Sequence, residues 1–136
     1  MKLSILIPVY NERTVVERCI SQVVTAPLPE DMDRELVIVD DCSTDGTSEI
    51  LERLAAAFPQ IRLHRHPQNR GKGAAVRTAI EKAFGDFALI QDADLEYDPA
   101  EYPGCSGHCS MAMPTPFLDR ATWPASRHAC CCFGTP

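Results

Sequence analysis

The sequence predicts an α/β fold built on a parallel sheet, and three observations predict it. Apolar runs of strand length alternate with stretches of helical periodicity through residue 103. The first run, Leu3 to Val9, is continuously apolar rather than alternating, as a central strand covered on both faces requires. Each strand run is followed by a polar turn rich in helix-capping residues.

Taken in order, Leu3 to Val9 is strand one, and Asn11 is placed to cap the helix after it. Val15, Val16, Cys19, Ile20, Val23 and Val24 recur at helical spacing until Pro27 ends the pattern. Glu35 to Val39 is strand two and runs into Asp40-Asp41. Ser43-Thr44-Asp45-Gly46-Thr47 opens a helix carrying Ile50, Leu51, Leu54 and Phe58, closed by Pro59. Ile61 to Arg65 alternates in polarity and reads as a strand nearer an edge. Asn69-Arg70-Gly71-Lys72-Gly73 leads into a helix with Val76, Ala79, Ile80, Ala83 and Phe84, and Gly85 is expected as its C-terminal cap. Phe87 to Gln91 is strand four. The order β-α-β-α-β-α-β implies right-handed crossovers with helices on both faces.

With 136 residues, the chain suits one domain. A net charge of −6 argues against a nucleic-acid or anionic-membrane partner held by bulk charge, but leaves local phosphate binding open. No run approaches the roughly 20 apolar residues of a membrane helix, and no secretory signal is visible, so a cytoplasmic chain is expected. An odd count of seven cysteines without such a signal argues against a secreted disulfide framework.

Ligands of open parallel sheets bind outside the carboxyl ends of the strands. Tyr10, Asn11 and Glu12 follow strand one, Asp40 and Asp41 follow strand two, and Asp92 and Asp94 follow strand four. Asp is also a common turn residue, so each cluster alone reads as turn chemistry. Together they predict one acidic crevice. Asp92 and Asp94 supply two hard oxygen donors suited to Mg²⁺ or Mn²⁺ with positions left for substrate phosphates. Arg70 and Lys72 lie close by in sequence, at a helix start that favours an anion. The P-loop pattern is absent, as is G-x-G-x-x-G after strand one, which argues against a dinucleotide dehydrogenase.

Four segments carry a family resemblance. They are Ile7-Pro8-Val9-Tyr10-Asn11-Glu12, Val39 through Thr47, Asn69-Arg70-Gly71-Lys72-Gly73-Ala74-Ala75 and Gln91 through Pro99. In this order and spacing they resemble the family 2 glycosyltransferases of GT-A fold, nearest the polyprenyl-phosphate (dolichol-phosphate-like) sugar transferases. The resemblance implies the N-terminal half of a GT-A, Rossmann-like sheet. Residues 1–103 would be its nucleotide-sugar-binding part, and 104–136 an irregular tail. It also implies roles. Pro8, Tyr10 and Glu12 would line the nucleotide pocket, with Asp41 and Lys72 beside them, and Asp40 would contact the base. Asp92 and Asp94 would be the D-x-D pair, with Asp94 the direct metal ligand and Asp92 nearer the ribose or metal. The cofactor would be Mg²⁺ or Mn²⁺, the donor a nucleoside-diphosphate sugar and the acceptor a lipid phosphate such as a polyprenyl phosphate. Cys42 stands where the family usually has Gly, so a turn needing positive φ would be strained there.

After Tyr102-Pro103 no family motif occurs, and the acceptor half of the site has no counterpart. Residues 104–136 contain no Ile, Val, Lys, Glu, Asn, Gln or Tyr, and their composition resembles out-of-frame translation of a GC-rich gene. The expectations are therefore a metal-assisted transferase lacking half its machinery, or a nucleotide-binding remnant without transfer. A zinc site from Cys105, His108, Cys109, His128, Cys130, Cys131 and Cys132 is a further reading, but the spacing is irregular. A sheet ending at strand four predicts an apolar edge and low solubility.

Overall fold

Strand β1 (Lys2–Val9) lies at the centre of the sheet, with β2 (Asp33–Asp40) on one side and β4 (Phe87–Ile90) on the other. A computed structural model describes residues 1–94 and the backbone of His128–Ala129. β3 (Ile61–Arg65) pairs with β2 at the sheet edge, as its alternating pattern predicts. All pairings are parallel, and the order is β3-β2-β1-β4-β5, where β5 is His128–Ala129. That last strand departs from the expectation that the sheet ends at β4. Phe87 and Ala88 pair with the backbone of His128 and Ala129. The proposed zinc ligands of the tail fall outside the described residues, His128 being described in its backbone alone.

The connections explain the layers. The chain moves outward from β1 through β2 to β3, then returns across the sheet to β4. Right-handed crossovers place helices from opposite directions of travel on opposite faces. Accordingly, α1 (Val16–Thr25) and α2 (Thr47–Ala57) share one face, and α3 (Lys72–Lys82) covers the other. The first core joins Ile5, Ile7, Leu36 and Ile38 to Val16, Ile20, Val23 and Leu51. The second is thinner, with Ala75, Ala79 and Ala83 on Leu6, Val37, Val39 and Ala88. Alanine at intervals of four lets α3 lie close on the strands.

Both prolines end their helices through the residue before them. Ala26 has ψ 140° and Phe58 has ψ 107°, because the following proline ring disfavours helical ψ.

Three local expectations change. Asn11 does not cap α1; it sits at φ 52°, and its side-chain oxygen accepts the Thr44 N–H at 2.8 Å. It ties the loop after β1 to the loop after β2. Gly85 is not a helix cap. A Cβ there would lie 2.5 Å from Ser4 Oγ and 2.7 Å from the Lys2 carbonyl oxygen, so glycine is required by close approach. Phe84 lies beyond the end of α3 rather than within it. It is 61% exposed, with the Arg62 guanidinium 4.4 Å from its ring centre.

Candidate functional site

The site lies where the chain reverses direction across the sheet, between the carboxyl ends of β1 and β4. Strands whose connections leave in opposite directions open a crevice there. A cleft of about 330 Å³ occupies it. Pro8, Val9, Tyr10 and Glu12 line it from β1, Asp92, Ala93 and Asp94 from β4, and Asp41 from β2. Asn69, Gly71, Lys72 and Ala75 close it from the turn before α3 and from α3 itself. Of the residues expected here, Pro8, Tyr10, Glu12, Asp41, Lys72, Asp92 and Asp94 are brought together.

Asp40 is not among them. It is 1% exposed and faces inward, where it accepts the Ser43 N–H at 3.0 Å and the Ser48 hydroxyl. Arg65 Nε lies 3.5 Å from the same carboxylate. These bonds shape the turn after β2. Arg70 stands at the turn before α3, where its backbone N–H is bound by Asp41.

Asp92 is held by its main chain. Its carbonyl oxygen accepts from the buried Gln91 side chain at 3.1 Å and faces the Cys19 thiol at 3.7 Å. One carboxylate oxygen, Oδ1, is buried and lies 2.7 Å from Lys72 Nζ. That contact is a charge pair rather than an aligned hydrogen bond.

Like charges crowd one side of the cleft. Burial, then the charges of Asp94 and Asp45, push the Glu12 carboxyl above its usual range. Burial, then Asp94, Glu12 and Asp92, push the Cys19 thiol up to about 11. A carboxyl whose pKa is raised by neighbouring carboxylates sits where a positive charge would bind favourably.

Among the described residues, no three His, Cys, Asp or Glu side chains form a ready metal-ligand group. The Asp92–Asp94 pair nevertheless fits a hard divalent ion that keeps several positions for other oxygens. The Lys72 ammonium already sits on Asp92 as a monovalent stand-in.

The backbone beside the cleft is constrained. Cys42 adopts φ 64°, the strained turn expected of a side chain where glycine is usual. Gly71 adopts φ 88° and begins α3. Sequence reasoning missed His66, which is 5% exposed with Nδ1 2.6 Å from Asp41 Oδ1. Its place just beyond β3, a strand end beside the acidic pair, was the available signal.

Comparison with known proteins agrees with this fold. Residues 4–107 match the family model of Glycosyl transferase family 2. The chain is 35% identical over 103 residues to a dolichol-phosphate mannosyltransferase of Pyrococcus furiosus, covering 76% of this chain and 28% of that protein. It is 38% identical over 105 residues to an undecaprenyl-phosphate 4-deoxy-4-formamido-L-arabinose transferase of Pseudomonas savastanoi pv. phaseolicola, covering 74% of this chain and 30% of the relative. The chain thus spans less than a third of the length of these relatives. Among solved structures, the mannosyltransferase PcManGT of Pyrobaculum calidifontis, in complex with GDP-Man and Mn²⁺, superposes with a TM-score of 0.65 at 32% identity. That match covers 73% of this chain and 29% of PcManGT. S. aureus TarS in complex with UDP gives a TM-score of 0.62 at 30% identity, over 69% of this chain and 28% of TarS.

Proposed function

The chain belongs to glycosyl transferase family 2, and from that premise we propose that residues 1–103 are the donor-binding part of a sugar transferase. The donor is a nucleoside-diphosphate sugar, and the cation is Mg²⁺ or Mn²⁺ held by Asp92 and Asp94. One observation carries this reading: Glu12, Asp92 and Asp94 converge at the crevice between β1 and β4, where burial and then the charge of Asp94 raise the Glu12 pKa. A diphosphate approaching these carboxylates alone would be repelled, and a cation removes the conflict. The PcManGT complex, which holds both GDP-Man and Mn²⁺, supports the same pairing.

Each residue then has a task set by its place. Pro8 and Tyr10 form the cleft wall from β1, with Tyr10 47% exposed and able to pack a base or ribose. Lys72, 2.7 Å from Asp92, is placed to pair with the donor phosphates, while Asp92 and Asp94 would hold the cation. The bound cation would supply Lewis-acid stabilisation of the departing nucleoside diphosphate. The acceptor, a polyprenyl phosphate, is already anionic and needs no strong general base to attack the anomeric carbon. This acceptor follows the two curated relatives, whose names specify dolichol and undecaprenyl phosphates. Among the described residues no helix is long and apolar enough to cross a membrane.

Titration of the chain with UDP and with GDP, with and without Mn²⁺, tests the donor site. Binding that requires Mn²⁺ is expected. Asp94→Asn should weaken it by at least the roughly 10–100-fold typical of losing even an outer metal contact. Metal-independent binding, or no binding of either nucleotide, would remove the reading. Transfer of labelled sugar to a polyprenyl phosphate separates a transferase from a protein that binds the donor without using it.

A further inference from the structure

We propose that His66 is a positioning residue of this cleft. Through Asp41 it holds the Asn69–Gly71 turn, and with it Lys72, where the donor diphosphate binds. The inference rests on the donor-site reading for its consequence, but its geometry stands on distances alone.

His66 is pinned on three sides. Its backbone N–H donates to the Asp40 carbonyl at 2.9 Å, fixing it beside the end of β2. Its ring Nδ1 lies 2.6 Å from Asp41 Oδ1, and Nε2 lies 2.9 Å from Thr78 Oγ1 on α3. Asp41 is 2% exposed and gathers two further donors: the Arg70 N–H reaches Oδ1 at 2.9 Å, and the Gly71 N–H reaches Oδ2 at 2.8 Å. One carboxylate therefore joins the ends of β2 and β3 to the turn that begins α3.

The proton positions follow from chemistry. Burial opposes the Asp41 charge, but the His66, Arg70 and Gly71 donors outweigh it and hold the carboxyl below its usual range. An ionised carboxylate only accepts, so Nδ1 carries the hydrogen. In the neutral ring Nε2 then accepts from the Thr78 hydroxyl, and in the charged ring it donates to it. The Nδ1–H to Asp41 bond survives in both forms. The ring thus orients a carboxylate that in turn orients two backbone amides, an outer-shell arrangement that decides where the turn lies.

Two replacements divide the ring's functions. In His66→Asn the amide nitrogen falls near the place of Nδ1 and can keep Asp41. In His66→Gln it falls near the place of Nε2 and can keep Thr78 only. The full chain is examined by amide hydrogen exchange and by Mn²⁺–UDP and Mn²⁺–GDP titration. His66→Gln is expected to speed exchange at the Arg70 and Gly71 amides roughly tenfold and to weaken nucleotide binding by about the same factor. His66→Asn should stay within about threefold of the parent in both. A purely space-filling role would make the two variants alike, and equal behaviour overturns the proposal. If neither variant folds, Thr78→Val provides the measurement: about threefold faster exchange at those two amides supports the proposal, and unchanged exchange overturns it. If the parent chain binds neither nucleotide, the donor-site reading falls, while the exchange data still decide the role of His66.

Discussion

Two glutamates at opposite ends of the sheet meet opposite surroundings. Glu35, near the start of β2, is 3% exposed yet fully served. It accepts the Ser4 hydroxyl at 2.6 Å, the Phe84 N–H at 2.6 Å and the Gly85 N–H at 3.1 Å, with Lys2 Nζ at 3.4 Å and Arg62 at 3.9 Å. Burial alone would raise its pKa, but the Ser4 and Phe84 hydrogen bonds and the Lys2 charge outweigh burial and lower it. Glu12, just past β1, faces Asp94 and Asp45 instead, and burial followed by these charges raises its pKa. A charge surrounded by its own donors belongs to the fold. A charge crowded by like charges marks the place where a ligand supplies what is missing.

The contrast is broken most severely at the satisfied end. Glu35→Ala leaves the Phe84 and Gly85 amides and the Ser4 hydroxyl without this acceptor, and should cost about 3 kcal/mol. Urea unfolding at neutral pH reads this directly. A loss below about 1 kcal/mol would mean that water serves those donors and that the network is not structural.

A smaller effect is expected at the crevice end, with the opposite sign. Cys42→Gly relieves the φ of 64°, and the chain should gain about 1 kcal/mol after allowing for the added freedom of glycine when unfolded. The shift in urea midpoint, at unchanged slope, measures it. No gain would show that the Cys42 side chain contributes packing that offsets the strain.

The smallest effect separates the two glutamates by pH. The folded pKa values of Glu35 and Asp41 are lowered, so their stabilisation is present above the ordinary carboxylate range, about 4, and is lost as pH falls through their folded values. For Glu12 the folded value is raised, so its contribution is present below the unfolded value and lost as pH rises through the folded one. Glu12→Gln should therefore stabilise the chain at pH 7 by roughly 0.3 kcal/mol, with the gain vanishing in acid and shrinking with salt. Thermal melts across pH and ionic strength test it, and a destabilising substitution would reverse the comparison.

Much of this was legible along the chain. The apolar run of β1, the helical spacing from Val16 to Val23 and the prolines at 27 and 59 carry local signals that the structure reproduces. The strand-end acids at 41, 92 and 94 were readable as one site, because a parallel sheet brings all its carboxyl ends to one side. The cap expected from Gly85 and the place in the helix expected for Phe84 were wrong. A glycine after a helix and an aromatic on its last turn have local readings that only neighbours can overrule. Asp40 and Asp41 are adjacent and chemically identical in sequence, but alternation along the strand end sends one carboxylate inward to Ser48 and the other to the cleft.

By itself the sequence determined the alternation of strands and helices, their boundaries to within a few residues, and the gathering of acid at one end of the sheet. These follow from periodicity, capping and turn chemistry, whose range is a few residues. Only the tertiary structure decided that Glu35 meets Ser4 and Gly85, that His66 locks onto Asp41 and Thr78, and that Lys72 rests on Asp92. Those partners lie from 12 to 50 residues apart. Strand order and register bring them within hydrogen-bonding distance, and no local pattern encodes either.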